Sequence, residues 1–300
     1  MRIGISVASN YDVSDVRAGA RCMIERARAA EAAGLACLFV GDHHVTPRPY
    51  YQNTPILGRM LAEWGDRPSG ALYLLPLWNP VLLAEQTATL ACIARGRFIL
   101  QCALGGDRRQ SAGMGVELAR RVPMFEQGLA IVRALWRGER VTRGPFEGAR
   151  ISPLPPEPIE VWIGASANVA IDRAAKLGDA WLGDPGMDEA TAGRKLNVYR
   201  EACERSGRSP ATIALRRDVY VGASSAEARA TMAPYLAEGH RGFPEEALLI
   251  GDVGEVADRL DRLHRIGYTD ALMRNITANQ TQALACIERL ARVQERLAVR

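Results

Sequence analysis

Short apolar runs recur along the 300-residue chain, and most are separated by stretches with apolar residues at helical spacing. The runs at 3–7, 36–40, 70–75, 98–104, 160–164, 180–183, 213–221 and 270–275 are rich in Ile, Val, Leu and Phe and alternate little with polar residues. That pattern predicts strands buried on both faces of a parallel sheet. Helices are predicted over about 15–33, from Thr54, over 80–93, over 116–136, after Ser166, over 188–206, and across the last twenty or so residues. Local signals agree. Gly34 suits the position after a helix end. Thr54 followed by Pro55, and Ser166, suit helix starts.

Eight strands alternating with helices fit a closed (β/α)₈ TIM barrel better than an open Rossmann sheet. The connection between the seventh and eighth strands is too long for one helix. It holds two helical segments, 225–238 and 252–266, with 237–250 read as an insertion. Asp252-Val-Gly-Glu255 has the capping-box pattern. The Pro-rich segment 153–158 reads as a surface crossing, because strand–helix alternation resumes at once. The chain is therefore expected to be one domain over 1–300.

Composition narrows the classes. The formal net charge of +4 is small, and the basic residues are interspersed with acids, which argues against a nucleic-acid partner. The chain enters a strand directly, with no signal-peptide pattern and no apolar run of about 18 residues. No membrane partner is expected. Six cysteines without a C-x-x-C pair read as reduced thiols of a cytoplasmic protein.

Candidate chemistry lies just after the predicted strands, at what would be the C-terminal mouth of the barrel. The second strand ends in Asp42-His43-His44, which holds two of the four histidines. The third strand leads to Trp78-Asn79, the fourth to Gly105-Gly106-Asp107, and the fifth to Gly164-Ala165-Ser166. Glycines there let a ligand approach the backbone. Ser166 and the free amides of the next helix can hold an anion such as a cofactor phosphate, or Ser166 can simply cap that helix. No third ligand stands at metal-site spacing beside the two histidines, so no metal is assigned. Tyr50 and Trp78 can line a pocket for a flat ring or pack in the core. Nucleotide P-loop, G-x-S-x-G and strand-following G-x-G-x-x-G motifs are absent.

Several segments together resemble the bacterial luciferase-like monooxygenase superfamily. They are Ala30-Glu-Ala-Ala-Gly34 leading to Phe39-Val-Gly-Asp-His-His44, and Leu74-Leu-Pro-Leu-Trp-Asn-Pro-Val-Leu-Leu-Ala-Glu-Gln86. They continue with Gly96-Arg-Phe98, Ala134-Leu-Trp-Arg-Gly138, Val161-Trp-Ile-Gly-Ala-Ser166 and Ala174-Ala-Lys-Leu-Gly-Asp-Ala-Trp181. The resemblance implies a TIM barrel that binds reduced FMN, or the deazaflavin coenzyme F420, at its mouth. It implies that His43 faces the flavin and moves a proton, with Asp42 orienting its ring, and that Ser166 holds the cofactor phosphate. Ala71-Leu72 falls where the family has a non-prolyl cis peptide in a bulge against the ring system. Asn79, Gly105, Gly164 and Ala165 join the cofactor side. His44, Tyr50 and Trp78 join the substrate pocket, with His44 turned toward the backbone near Pro47. Where luciferases proper carry an arginine near the phosphate this chain has Leu104, with Arg108 and Arg109 further on. A phosphate-holding threonine is matched by Val169.

The expected activity is that of a flavin-dependent oxidoreductase. Its first form is a two-component monooxygenase using reduced FMN and O₂ on a small organic substrate, supplied by a separate flavin reductase. The alternative is F420-dependent hydride transfer. Readings of other classes are a non-catalytic flavin-binding barrel and a metal-dependent barrel hydrolase. The resemblance further implies a homodimer packed through the helices near the second and third strands, whose apolar residues include Leu82, Leu83, Leu90 and Ile93.

Overall fold

The computed structural model of the chain describes residues 1–299. It is a closed TIM barrel. β1 (Arg2–Val7), β2 (Leu38–Val40), β3 (Ser69–Leu74), β4 (Phe98–Ala103), β5 (Glu160–Ala165), β6 (Ala180–Gly183) and β7 (Thr212–Val221) pair in chain order, all parallel. β9 (Asp270–Asn275) pairs with β7 on one edge and β1 on the other, which closes the ring. The helices are α1 (Val16–Ala32), α2 (Asn53–Met60), α3 (Pro80–Ile93), α4 (Arg108–Gly113), α5 (Arg121–Trp136), α6 (Asn168–Leu177), α7 (Glu189–Arg205), α8 (Ser225–Ala237), α9 (Val253–Ile266) and α10 (Gln280–Ala298). Among the described residues no helix is long and apolar enough to cross a membrane.

Side-chain alternation sorts each strand into an outer set under the helices and an inner set filling the barrel. At the N-terminal end Arg2 closes the floor, with Nε and Nη2 donating to Asp270 at 2.7 and 2.8 Å and Nη2 to Thr212 at 3.1 Å. Above it Phe39, Ile99, Trp162, Ala180, Ala214 and Leu272 form a separate apolar plug. Gly70 lets the strands close around this plug. A Cβ there would stand 2.0 Å from the Ile99 carbonyl oxygen and 2.8 Å from the Phe39 ring. The next inward positions are Ser6, Leu72, Gly164, Leu182, Arg216 and Arg274. They make the floor of the open mouth.

Four local features differ from the sequence expectations. The insertion contains a short strand, β8 (Leu249–Gly251), parallel to Val219–Val221 of β7. β6 pairs only with Thr212–Leu215, so the far end of ten-residue β7 has an edge left for β8. The helix expected from 116 starts at Arg121, preceded by α4 and a 3₁₀ turn at Leu118–Arg120. A glycine-broken stretch of this length carries no helical period to read. Two expected caps are displaced. α2 starts at Asn53 after Gln52, and the Thr54 hydroxyl lies 3.0 Å from that of Tyr73. α6 starts at Asn168 after Ala167, which leaves Ser166 one residue outside the helix with its hydroxyl uncommitted to capping. Finally, Ala71–Leu72 is trans. β3 runs without a bulge in continuous register with β4 from Ser69↔Phe98 to Leu74↔Ala103, and the cis bond among the described residues is Ser152–Pro153.

Candidate active site

The mouth holds two adjoining cavities, which share Leu72 and Arg216. The first, about 450 Å³, lies over β1, β2 and β9. His43 and Tyr50 line it, with their rings 5.8 Å apart. Burial pushes the Tyr50 phenol up to about 12, so it stays a neutral donor across the working range. The turn that presents His43 is held from two sides. Gln52 Nε2 donates to the His43 carbonyl at 3.2 Å, and the amide of His44 donates to Gln110 Oε1 of α4 at 2.6 Å. The next residue, Val45, is in the left-handed region at φ 53. A β-branched residue held there costs on the order of 1–3 kcal/mol.

His43 and His44 point apart, as alternation requires. The expected contact between Asp42 and His43 is not made. Asp42 is turned outward, and one of its oxygens is engaged elsewhere. Its Oδ2 accepts from the Leu74 amide at 2.8 Å and from the Trp78 indole at 2.9 Å. Its Oδ1 lies 3.1 Å from His44 Nε2, out of line for a good hydrogen bond. The His44 ring packs on Trp78 with centroids 5.5 Å apart, so its partners are Asp42 and Trp78 rather than backbone near Pro47. Of the three residues expected in the substrate pocket, Tyr50 lines the cavity while His44 and Trp78 stand behind it. Asn79 is likewise away from both cavities, and its side-chain oxygen caps α3 by accepting from the amides of Val81 and Leu82.

The second cavity, about 440 Å³, runs outward over β3 to β6. It gathers Leu72, Gly105, Gly164, Ala165 and Ser166 from the expected cofactor set; Ala71 faces the helices and is fully buried. Arg121, the first residue of α5, lines it too. Gly105 is at φ +68, a conformation that a residue with a Cβ rarely adopts.

Sequence reasoning missed the arginines. Arg216 of β7, Arg274 of β9 and Arg241 of the insertion converge on the first cavity. Arg241 Nη1 and His240 Nε2 reach Asp218 Oδ2 at 2.9 and 2.8 Å. Arg216 Nε is buried without a hydrogen-bond partner, 3.7 Å from Asp218 Oδ1. Arg274 donates no side-chain hydrogen bond to any described residue. Burial, with Arg274 and Arg241 beside it, lowers Arg216 to about 9, and burial with Arg241 also lowers Arg274. Burial would raise the Asp218 carboxyl, but the His240 bond and the surrounding guanidiniums hold it well below the usual carboxylate range.

The family model for luciferase-like monooxygenases matches residues 1–299. The chain belongs to that family. An F420-dependent glucose-6-phosphate dehydrogenase of Kribbella flavida is 26% identical over 219 residues, which cover 68% of this chain. The match spans just under two thirds (66%) of that relative's length. The fold is shared with a monooxygenase, RslO1, from Streptomyces bottropensis, at TM-score 0.82 and 17% identity over 99% of both chains. It is shared too with an F420-dependent secondary alcohol dehydrogenase in complex with an F420-acetone adduct, at TM-score 0.79 and 16% identity over 99% of this chain and 98% of that one.

This luciferase-like protein thus belongs to a monooxygenase family and is similar in sequence to a dehydrogenase named for its dependence on F420. Its second cavity suits the phosphate-bearing side chain of such a cofactor. α6 begins without a side-chain cap, leaving its first amides free beside Ser166, with the cation of Arg121 lining the same space. Gln101, on the inward face of β4, carries a buried donor, Nε2, without a partner.

Proposed function

We propose that this protein transfers a hydride between a deazaflavin of the F420 type and a small polar substrate held at the barrel mouth. The observation that carries this reading is the charge of the cavity facing His43, where Arg216, Arg241 and Arg274 converge. The sequence alone favours reduced FMN and O₂. Oxygenation relies on a dry, shielded pocket, whereas a mouth lined by guanidiniums keeps water and donors close. Hydride transfer tolerates that environment. The F420-dependent dehydrogenase of K. flavida among the sequence relatives supports the same choice.

The cofactor, when bound, supplies the hydride-accepting or hydride-donating carbon. Gly105, Gly164, Ala165, Ser166 and Arg121 would hold its side chain and phosphate in the second cavity, with Leu72 under the junction of the two spaces. His43 takes the proton from a substrate hydroxyl on oxidation and returns it on reduction. Tyr50, a neutral donor beside it, orients the substrate oxygen. Asp42 acts at one remove. It fixes the end of β3 and the Trp78–His44 pair against which the His43 turn is built.

The test is direct. The protein is titrated separately with F420 and with FMN, following fluorescence. Quenching by F420 at micromolar concentration, with FMN at least about tenfold weaker, is expected. Tight FMN binding together with substrate-dependent O₂ uptake in the presence of reduced FMN would overturn the proposal.

A further inference from the structure

The arginine cluster has no counterpart of opposite charge large enough to neutralise it. Four arginines line the first cavity: half-buried Arg216 and Arg274 at its base, and Arg241 and Arg48, both exposed, at its rim. Two carboxylates lie near them: Asp218, bound to His240 and Arg241 and 3.7 Å from Arg216, and Asp184. Asp42 is turned away, onto Leu74 and Trp78. An excess of two positive charges remains. Arg216 Nε is buried without a hydrogen bond, with its nearest carboxylate oxygen, Asp218 Oδ1, 3.7 Å away, and Arg274 donates no side-chain hydrogen bond to a described residue. Folded proteins bury charges paired; an unpaired one costs several kcal/mol of desolvation that nothing local returns. The burial that lowers Arg216 and Arg274 reports the same cost.

We propose that Arg216, Arg274 and Arg241 form a binding site for a compact dianionic oxyanion group, such as a phosphate ester, carried by the substrate. The word substrate rests on the oxidoreductase reading above; the anion site does not. Arg216 and Arg274 project from adjacent strands, β7 and β9, whose register sets Arg216 opposite Leu272 and Arg274 opposite Asp218. They form a fixed floor. Arg241 comes from the insertion and closes from above. Its backbone is in the left-handed region at φ 52, unusual for a residue with a side chain, and Asp218 holds its guanidinium in place. The insertion therefore supplies one wall of the site. With the anion docked here, the rest of a small substrate reaches past His43 and Tyr50 toward Leu72, where the two cavities meet.

Arg216 also lines the cofactor cavity, so the anion bound by the cluster must be told apart from a cofactor phosphate. Calorimetric titration of the cofactor-free protein with inorganic phosphate at low ionic strength separates them. Saturable binding is expected in the wild type, with acetate at least about tenfold weaker. Each of Arg274→Gln and Arg241→Gln should weaken phosphate binding about tenfold or more, the loss of a charge-assisted contact. Arg121→Gln, in the other cavity, should remove only the component of phosphate binding that belongs to the cofactor site and leave the component that Arg274→Gln loses. Without ligand, Arg274→Gln should melt at or above the wild-type temperature, because it removes an unpaired buried charge. The proposal is overturned if the wild type binds no phosphate, if acetate binds equally well, or if Arg121→Gln abolishes binding that Arg274→Gln retains. A melting temperature for Arg274→Gln below wild type would also overturn it, since the arginine would then be a structural strut. None of these readouts needs a bound flavin, so a failure here leaves the cofactor titrations standing, and the reverse holds too.

Discussion

Asp42 offers the sharpest check on the architecture behind His43. Its side chain is fully buried, and one oxygen accepts both the Leu74 amide at 2.8 Å and the Trp78 indole at 2.9 Å. Asp42→Ala strands both donors in the protein interior. Each unpaired buried donor costs about 1–3 kcal/mol, and removing the buried carboxylate returns part of that, so the net loss should be about 3 kcal/mol. For a chain of this size that corresponds to a fall in Tm of about 5 °C. Asp42→Asn behaves differently. Its amide oxygen can occupy the place of Oδ2 and keep both bonds, now neutral, at a cost of about 1 kcal/mol. The assay is thermal and urea unfolding of both variants, with amide NMR of the indole N–H groups. Five tryptophans give five indole signals, and only that of Trp78 should move strongly in Asp42→Ala. Asp42→Asn should also keep its rate within about tenfold of wild type, because the carboxylate does not touch His43. A rate collapse in Asp42→Asn with an unchanged Tm would refute the reasoning and make Asp42 a direct proton partner.

Other outcomes follow from the same arrangement. His43→Ala should lower kcat about 10²–10⁴-fold with little change in cofactor affinity, measured by steady-state kinetics and fluorescence titration side by side. Ser166→Ala should weaken cofactor binding by about 1–2 kcal/mol, and unchanged affinity would remove the serine from the phosphate site. The Asp218 carboxyl is held below its unfolded value, so its contribution to stability is complete above about pH 4 and is lost as pH falls toward the folded value; Asp218→Asn should flatten that acid limb in urea unfolding across pH 2–5. The protein should be a dimer by light scattering. In α3, Leu83 and Leu90 are buried in the barrel wall, but Leu82 is 46% and Ile93 51% exposed, and Leu82→Glu with Ile93→Glu should shift it to monomer.

The parts of the fold that were legible in the sequence are those whose signal is local. Strands such as 98–103 are buried on both faces and carry unbroken apolar runs, and Asp42-His43-His44 stands out because it ends one of them. The glycines that end the fourth and fifth apolar runs, Gly105 and Gly164, mark the second cavity for a similar reason: they sit where the apolar pattern stops. What was not legible depends on partners far along the chain. β8 is three residues long and exists only because β6 leaves the end of β7 unpaired. α4 is six residues long, too short for a period to show, yet its Gln110 holds the His44 amide. The choice of Asp42 for Trp78 and His44 rather than His43 depends on Trp78 arriving from the next βα loop, 36 residues on.

The arginines were hidden by a different effect. Arg216-Arg217-Asp218 reads as an interruption in an otherwise apolar strand, and an interruption invites a shorter strand rather than a site. In the barrel the three residues alternate. Arg217 points outward and donates to the Pro185 carbonyl at 3.1 Å, while Arg216 and Asp218 turn toward the mouth. The strand survives because β9 pairs with it through the whole interruption, Ala214 to Val219, supplying hydrogen bonds that do not depend on side-chain polarity. Polar residues in the upper half of a barrel strand thus mark where the apolar plug gives way to the reaction chamber. The same rule, applied to Arg274 in β9, puts a second guanidinium one strand away, two residues further along in register. Two such breaks on strands that close the ring are enough to place a cationic site, and the insertion that follows β7 is positioned to complete it.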